Sequence, residues 1–470
     1  MDRQEAERLY DSGKEPTVEK LLELDTENVH LKETVAGLER NSRSSSKPPS
    51  SDSIRDRKER KGKKKRNGRK PGGQPGHPGK KRDLVPIDQV KEVIACYPSE
   101  CMGCPHFKGC LKRQKKEDLI RWQVTEIPPI TPEVTEYQVY TLSGRCGKVH
   151  RGVLPAGVSL SNFAPRLTAL IAFFTGVLRL PRRPLKDCFR TVFEVDLSLG
   201  STQNLLEQTS CALQPIDQQL KDALPRQPVV NADESGWNRR WIWVFVTSGF
   251  IYFHIAKSRG SEVLTQVLGK VYEGILGVDR WGAYTKYHKG RMQLCWEHLK
   301  RDFQGILDIG KKVGSKEAQS FARRMENLRK KLMAMWYQFK DGELTRSQLI
   351  EDTEPIRTKI EEWLRSHCDS PVQKVRVFAR RLTKRRAHLF TFIFHEGVEP
   401  TNNSSERGIR FAVILRKICF GNRSDRGAVM TARLLTVTRT CWLQKRNALE
   451  FLVEAITAYR TSAPFPSLLS

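Results

Sequence analysis

The sequence has no hydrophobic run long enough to cross a membrane. Its most apolar stretch, residues 167–180, contains Arg179 and is shorter than the roughly 20 apolar residues that span a bilayer. The first residues are charged throughout, which is not the pattern of a secretory signal peptide. We therefore expect a cytoplasmic protein without a membrane partner.

Acidic residues are scarce relative to basic ones. The 470 residues include 53 Asp and Glu against 82 Lys and Arg, so the net charge is +29 and the isoelectric point is near 9.8. Such an excess favours a polyanionic partner, because each cation that neutralises a phosphate releases a condensed counterion. Ribosomal and membrane-surface proteins share this charge, but the absence of a membrane feature favours nucleic acid.

A disulfide framework is not expected. The cysteines are odd in number, eleven, and several are isolated, which favours reduced thiols and a metal site. A Cys-x2-Cys pair followed by a distant second pair is typical of structural zinc, and here the second pair is Cys-x3-His. The candidate ligands are Cys101, Cys104, Cys146 and His150. The alternative is a loose cluster of thiols, and Cys96 and Cys110 are either further ligands or bystanders.

The first forty residues have a short heptad pattern. Leu24, Leu31 and Leu38 share one core position, and Asn28 lies at the partner position, where Asn can fix the register of a coiled coil. Barely three heptads are marginal on their own. The pattern predicts either self-association or an amphipathic helix packed on its own protein.

A Ser/Pro-rich segment, residues 41–53, predicts a disordered linker. Residues 55–82 then hold fourteen Lys or Arg against two acids, and Gly and Pro at the end of this segment prevent regular structure. We interpret it as a flexible arm that binds phosphates; the alternative is a solubilising tail. Its candidate DNA-binding residues are Lys63, Lys64, Lys65, Arg66, Arg69 and Lys70.

Residues 164–213 have helical periodicity. They predict a helix over residues 182–193, a short turn, and a second helix that begins at Thr202 with Ser201 as its N-cap. This is the spacing of a helix-turn-helix that contacts DNA, but two ordinary packed helices have the same pattern.

Residues 226–300 predict a mixed sheet that carries two aspartates. The predicted elements are strands over residues 228–232, 240–247 and 250–256, a helix over residues 261–272, and a strand over residues 274–278. An antiparallel meander followed by a helical crossover returns the fourth strand parallel to the first and beside it. Asp233 and Asp279 would then lie near the carboxyl ends of neighbouring strands.

Two such carboxylates repel unless protons, cations or metal ions neutralise them. A pair of Mg²⁺ ions about 3.5–4 Å apart can activate an attacking oxygen and stabilise a leaving oxygen in phosphodiester displacement. Glu406 is the candidate third ligand, because the preceding Asn/Ser run predicts a helix that starts close to it. Arg410 lies one turn further, on the same face, while Glu234, Glu396 and Glu399 compete with Glu406 for the role.

Several segments together carry a family resemblance. Residues 41–52 and 72–79 match a linker and a glycine-rich motif, and residues 233–237, 279–284 and 402–407 match segments around three catalytic acids. On these motifs the chain resembles the transposases of the insertion sequence 66 family almost end to end. Residues 295–298, Cys-Trp-Glu-His, resemble the family's Cys-x2-His segment, for which we expect a buried cysteine and a hydrogen-bonded histidine rather than zinc.

The resemblance implies a multidomain α/β protein, with a ribonuclease-H-like catalytic core and a large helical insertion that touches transposon-end DNA. The expected regions are an N-terminal helix or coiled coil (1–40), a basic disordered linker (41–86), a zinc-binding lobe (87–158), a helix-turn-helix-like region (159–222), the catalytic domain (223–445, insertion about 305–395) and a C-terminal helix and tail (446–470). Ser235 replaces the family's usual threonine, and the second half of the zinc motif lacks a Cys-x2-Cys.

The resemblance also implies a transposase that cleaves strands at transposon ends and joins the freed 3′-hydroxyls to target DNA. Asp233, Asp279 and Glu406 would be catalytic and would hold two Mg²⁺ or Mn²⁺ ions, and Arg407 and Arg410 would bind DNA. We expect at least a dimer, accessory proteins of the same element, and association with a prokaryotic nucleoid. The alternatives are a ribonuclease-H-like nuclease without strand transfer, and a non-catalytic zinc-containing DNA-binding protein derived from a transposase.

Overall fold

The computed structural model describes residues 3–38, 82–115, 119–155, 158 and 162–469. The chain divides into two compact units, residues 58–132 and residues 1–57 with 133–470. The predicted phosphate-binding residues of the arm, Lys63 to Lys70, lie outside the described residues.

The N-terminal residues form two helices, α1 (Arg3–Asp11) and α2 (Lys14–Leu38). The helical conformation is interrupted between them at Gly13, whose φ of 108° lies in the left-handed region that favours glycine.

The smaller unit has little regular structure in its described part. It contains the short helix α3 (Phe107–Arg113) and the 3-10 turns Ile87–Gln89 and Ser99–Cys101. The Gln123 side chain accepts a hydrogen bond from the Val85 N–H and donates one to the Val85 carbonyl, each at 2.8 Å. A side chain therefore satisfies backbone groups that a strand partner would otherwise satisfy.

A five-stranded mixed sheet forms the centre of the larger unit. Its strands are β3 (Val229–Trp237), β4 (Arg240–Val246), β5 (Ile251–Ala256), β6 (Ile275–Val278) and β7 (Met292–Leu294), and a separate hairpin pairs β1 (Thr141–Ser143) with β2 (Val149–Arg151). The strand order is β5-β4-β3-β6-β7, with β3 antiparallel to β4 and parallel to β6. The predicted return of the fourth strand beside the first is confirmed.

Both faces of this sheet are buried, which explains the nearly continuous apolar sequence of β4. Trp243 and Phe245 lie on one face within the larger core, and Ile242 and Val244 lie on the other within a second core. The edge strand β5 is covered by a helix, because Thr436 accepts a hydrogen bond from its backbone at 3.0 Å.

Helices cover the two faces. Four helices precede β3 in the sequence: α4 (Pro165–Gly176), α5 (Arg182–Val192), α6 (Leu199–Ala212) and α7 (Gln214–Ala223). Two more connect strands of the sheet: α8 (Ser261–Leu268) and α9 (Gly282–Tyr287). After β7 follow α10 (Trp296–Lys312), α11 (Lys316–Lys340), α12 (Arg346–Ser366), α13 (Gln373–Thr383), α14 (Thr391–Phe394), α15 (Asn403–Cys419), α16 (Asp425–Leu443) and α17 (Ala448–Thr461). Across the described part of the chain, none of the helices combines the length and the apolar character that a bilayer crossing requires.

Three predicted boundaries were wrong. The first strand of the sheet does not end before Asp233 but continues to Trp237, because its second half pairs with β4 as a hairpin. The crossover helix α8 ends at Leu268, where Gly269 has a φ of 83°. Helix α6 begins at Leu199, since the Ser198 side chain accepts the Ser201 N–H at 2.9 Å and is the N-cap in place of Ser201.

Candidate active site

Asp233 lies on β3 and Asp279 immediately follows β6, at matched positions just beyond the parallel pairing of these two strands. The pairing of β3 with β6 sets Asn231 opposite Gly277, and each aspartate lies two residues beyond these partners. Asp233 is also opposite Val244 of β4, whose side chain belongs to the core beneath α15 and α16. Because paired residues of a sheet share a face, the Asp233 carboxylate lies on the face that α15 covers.

The surroundings of Asp233 disfavour its charge. Burial raises its pKa well above the ordinary value, and the charges of Glu234, Asp279 and Glu406 raise it further, while the Glu234 N–H opposes them with a hydrogen bond at 2.9 Å. The carboxylates of Asp233, Asp279 and Glu406 are thus near enough to interact, and they do so with repulsion.

Asp279 lies in the turn between β6 and α9. Its Oδ1 accepts a hydrogen bond from the Trp281 N–H at 2.7 Å, which orients the carboxylate and closes the turn. Burial raises the pKa of Asp279, whereas this hydrogen bond and the charges of Arg259, Arg280 and Arg301 lower it. Asp279 therefore interacts with nearby arginines, whereas the main interactions of Asp233 include no cation.

Glu406 lies in the first turn of α15, near enough to Asp233 for their charges to interact. The side-chain amide of Asn402, the residue before this helix, donates to the Ala232 carbonyl at 2.7 Å. The Asn402 N–H donates to Cys295 Sγ at 3.1 Å. Asn402 is 1% exposed, so α15 begins at a buried junction beside the residue that precedes Asp233.

Two side chains of α10 contact Glu406. Arg301 Nη2 donates to its Oε1 at 3.0 Å, and His298 Nδ1 lies 3.5 Å from the same oxygen. Sequence reasoning missed Arg301; the available signal was its position one helical turn beyond the Cys-x2-His segment. Helix α10 therefore supplies the groups that contact the Glu406 carboxylate.

A second set of donor atoms shares Glu406. Among the described residues, Cys295, His298 and Glu406 place one ligand atom each within 4.8 Å of one another, whereas Asp233, Asp279 and Glu406 do not form such a group. Cys295 is buried as expected, but His298 Nδ1 has no hydrogen-bond partner among the described residues, so the expectation of a hydrogen-bonded histidine was wrong for this nitrogen.

The two donor sets differ in chemistry. Burial, and then the charges of Arg301 and Arg280, lower the pKa of His298 to about 3, so its imidazole is neutral and can act as a ligand. A thiol, an imidazole and a carboxylate are the donors typical of zinc. The three acids provide oxygen donors alone, which suit magnesium.

A model of the family described as "Transposase IS66 family" matches residues 161–430, which are 430 − 161 + 1 = 270 of the 470 residues. The chain belongs to this family. Residues 5–83 of this IS66-family protein also match a family of unknown function, DUF6444.

A curated relative has similar length but no assigned role. The IS66-family protein is 23% identical over 406 residues to the "Uncharacterized protein y4qI" of Sinorhizobium fredii (strain NBRC 101917 / NGR234), a match that covers 79% of this chain and 72% of the relative.

Glu234, a competitor for the third acid, is engaged on the opposite face of β3 in the IS66-family protein. Its Oε1 accepts from Arg259 Nη2 at 2.7 Å and from Arg259 Nε at 2.9 Å, and the Tyr284 hydroxyl donates to its Oε2. The Glu234 side chain is 1% exposed. Glu399, another competitor, pairs with Lys340 at 2.8 Å.

Arg407 and Arg410 are exposed on α15. Among the described residues, the arginine that pairs with Glu406 is Arg301 of α10 and not Arg410. DNA binding by Arg407 and Arg410 stays a prediction.

The candidate zinc ligands are divided between the two units. Cys146 Sγ lies 3.6 Å from His150 Nε2 across the β1–β2 hairpin in the larger unit. Cys101 and Cys104 lie in the smaller unit, where the Cys104 N–H donates to the Cys101 carbonyl at 3.2 Å. The four-ligand site stays a prediction, as does DNA contact by α5 and α6.

Proposed function

We propose that this IS66-family protein is a DDE transposase, which cleaves DNA strands at transposon ends and joins the freed 3′-hydroxyls to target DNA. The observation that carries the proposal is that Asp233 and Asp279 lie at matched positions just beyond the parallel pairing of β3 with β6. Glu406 is attached to the same strand through Asn402.

The proposal includes a ribonuclease-H-like core. Its support is the strand order β5-β4-β3-β6-β7, with one antiparallel hairpin pair and a parallel return. In this arrangement two acids approach each other at the point where the paired parallel strands end. The helices α10 to α13, between β7 and α15, form the insertion.

The acidic donors fit magnesium or manganese. Burial and mutual repulsion raise the pKa of Asp233, and burial raises that of Asp279, so a bound cation would relieve an unfavourable cluster of charge. Asp233, Asp279 and Glu406 would hold the ions, two in number. When bound, two divalent ions activate an attacking oxygen and stabilise the leaving oxygen of a phosphodiester.

The chain's own residues position this chemistry. Arg301 holds the Glu406 carboxylate, the Trp281 N–H holds that of Asp279, and Asn402 fixes the start of α15 against β3. Water and then a 3′-hydroxyl would be the successive nucleophiles. No serine or tyrosine nucleophile is required, because the protein forms no covalent bond to DNA in this scheme.

The wider proposal concerns partners. Pairing two transposon ends requires at least a dimer, to which the heptads of α2 would contribute. The basic arm would bind phosphates, and accessory proteins of the same element and nucleoid association belong to the same proposal.

Asp279→Asn tests the assignment of the acids. We expect metal-dependent cleavage of duplex DNA carrying the element's ends to fall to background, because a neutral amide binds divalent ions weakly. Glu399→Gln, a change of the same size in an exposed ion pair, is the matched control and retains cleavage. Intact cleavage by Asp279→Asn contradicts the proposal.

The zinc proposal has its own measurement. Full-length protein would contain a structural zinc held by Cys101, Cys104, Cys146 and His150. Metal analysis of the purified protein is expected to find stoichiometric zinc that is lost in Cys101→Ser/Cys104→Ser. If the zinc is retained there and lost in Cys295→Ser, the site is the one at Glu406.

A further inference from the structure

Helix α11 of the insertion presents a stripe of exposed cations. Lys316, Arg323, Arg324 and Lys331 are exposed on α11, and Lys359 is exposed on the neighbouring α12. These five side chains line a groove of about 680 Å³ whose lining includes no acidic residue. The groove is therefore uniformly positive.

The opposite face of α11 fixes this stripe in place. Phe321, Met325, Leu332 and Trp336 are at most 4% exposed in the larger core. The Arg324 guanidinium also lies over the Trp363 ring, 4.4 Å from its centroid. The cations are thus mounted on a packed helix, so little order would be lost when they bind a ligand.

The five cations have no acidic partners within the part of the chain that the structure describes. Other cations of the insertion do pair, for example Arg365 with Glu361 at 3.3 Å and Arg380 with Asp369 at 2.6 Å. A stripe of like charges repels itself, and a polyanion would remove this repulsion.

The groove is continuous with the candidate active site. A second groove, of about 750 Å³, is lined by Arg301 and Glu406. Its lining also includes Lys300, Lys330 and two acids, Glu297 and Glu326, which both pair with Arg329. Arg323 and Asn327 line both grooves. From Lys316 to Lys331 the stripe is about 22 Å long, since each helical residue rises about 1.5 Å.

The chemistry of the lining favours a duplex over a single strand. The positive groove has no aromatic lining residue, whereas proteins that bind single strands stack bases on aromatic rings. Lys and Arg contacts to phosphates do not read sequence. We propose that this groove binds the sugar-phosphate backbone of duplex DNA and leads the strand to Glu406. The inference that the strand leads to Glu406 rests on the proposed function, whereas the inference that the groove binds duplex DNA does not.

The test compares two triple variants of the full-length protein. Arg323→Gln/Arg324→Gln/Lys331→Gln removes three groove cations. Lys340→Gln/Arg365→Gln/Arg380→Gln removes equal charge from cations of the insertion that already pair with acids. The probe is a fluorescein-labelled duplex of random sequence, titrated at increasing KCl. The basic arm contributes equally to both variants.

We expect the slope of log Kd against log salt to fall by about 2.7 in the groove variant, from about 0.9 for each of three phosphate contacts, and to stay unchanged in the control. Arg323→Lys/Arg324→Lys/Lys331→Arg, which keeps the charge, should restore the slope and excludes misfolding as the cause. Equal slopes in the groove and control variants would overturn the proposal. A loss confined to a single-stranded probe would overturn the choice of duplex.

Failure of this inference is distinct from failure of the proposed function. If the groove variant binds duplex like its control while Asp279→Asn abolishes cleavage, the groove proposal fails and the function stands. If Asp279→Asn cleaves normally while the groove variant shows the reduced slope of log Kd against log salt, the proposed function fails and the groove remains a DNA-binding surface.

Discussion

The two faces of strand β3 carry neighbouring acids with different partners. Burial and the charge of Asp279 raise the pKa of Glu234, but the hydrogen bonds that it accepts from Tyr284 and Arg259 oppose this effect. Asp233 faces α15, where the charges of Asp279 and Glu406 repel it. A protein retains a carboxylate in such surroundings at a cost in stability, and this is typical of functional sites. The difference separates an acid that supports the fold from one available for chemistry.

The largest expected effect is a difference in stability between two variants in which Asp233 or Glu234 is replaced by its amide. In the metal-free protein, Asp233→Asn should leave the free energy of unfolding unchanged or raise it, because burial and like charges oppose the native carboxylate. Glu234→Gln should lower it by about 1–3 kcal/mol, because it weakens the hydrogen bonds of a buried group; Arg259 is 34% exposed, so solvent screens part of the ion pair.

Urea unfolding of both variants, with chelator present, measures this contrast, and Glu399→Gln controls for loss of an exposed ion pair. Equal destabilisation by Asp233→Asn and Glu234→Gln would show that both acids are structural.

A smaller effect is expected at the junction that brings Glu406 to this face. Asn402→Ala removes the donor to the Ala232 carbonyl, which should cost about 1–2 kcal/mol of stability and reduce kcat more than KM, since Glu406 is displaced. Asn403→Ala, an exposed neighbour, is the control. An unchanged kcat in Asn402→Ala would show that the junction does not position Glu406.

Sequence periodicity predicted four of the five strands because their determinants are local, and it missed the three-residue strand β7. The apolar runs of β4 and β5, the crossover helix and the short β6 each follow from the spacing of apolar residues, and handedness then puts β6 beside β3. The extension of β3 to Trp237 was missed. Its polar residues do not resemble a strand, and their pairing depends on the hairpin with β4.

The third acid could not be placed by the same reasoning. Asn402 and Ala232 are 170 residues apart in sequence, and no local pattern predicts that they meet. The same holds for Arg301, which lies 105 residues before Glu406, and for the engagement of Glu234 by Tyr284. Family resemblance predicted Glu406 as the third acid, whereas the tertiary contacts of α10 and α15 give the physical reason for its position.

The most direct test is strand transfer from pre-cleaved transposon ends into a supercoiled target, measured with Mg²⁺ for the wild-type protein, Asp233→Asn, Asp279→Asn, Glu406→Gln and the control Glu399→Gln. The account predicts joined products for the wild type and the control, and a loss of about 1,000-fold or more for each acid of the triad. Joined product at wild-type yield from any of the three triad variants would contradict it. A wild-type protein that cleaves intact ends but does not join pre-cleaved ends would be a nuclease instead of a transposase.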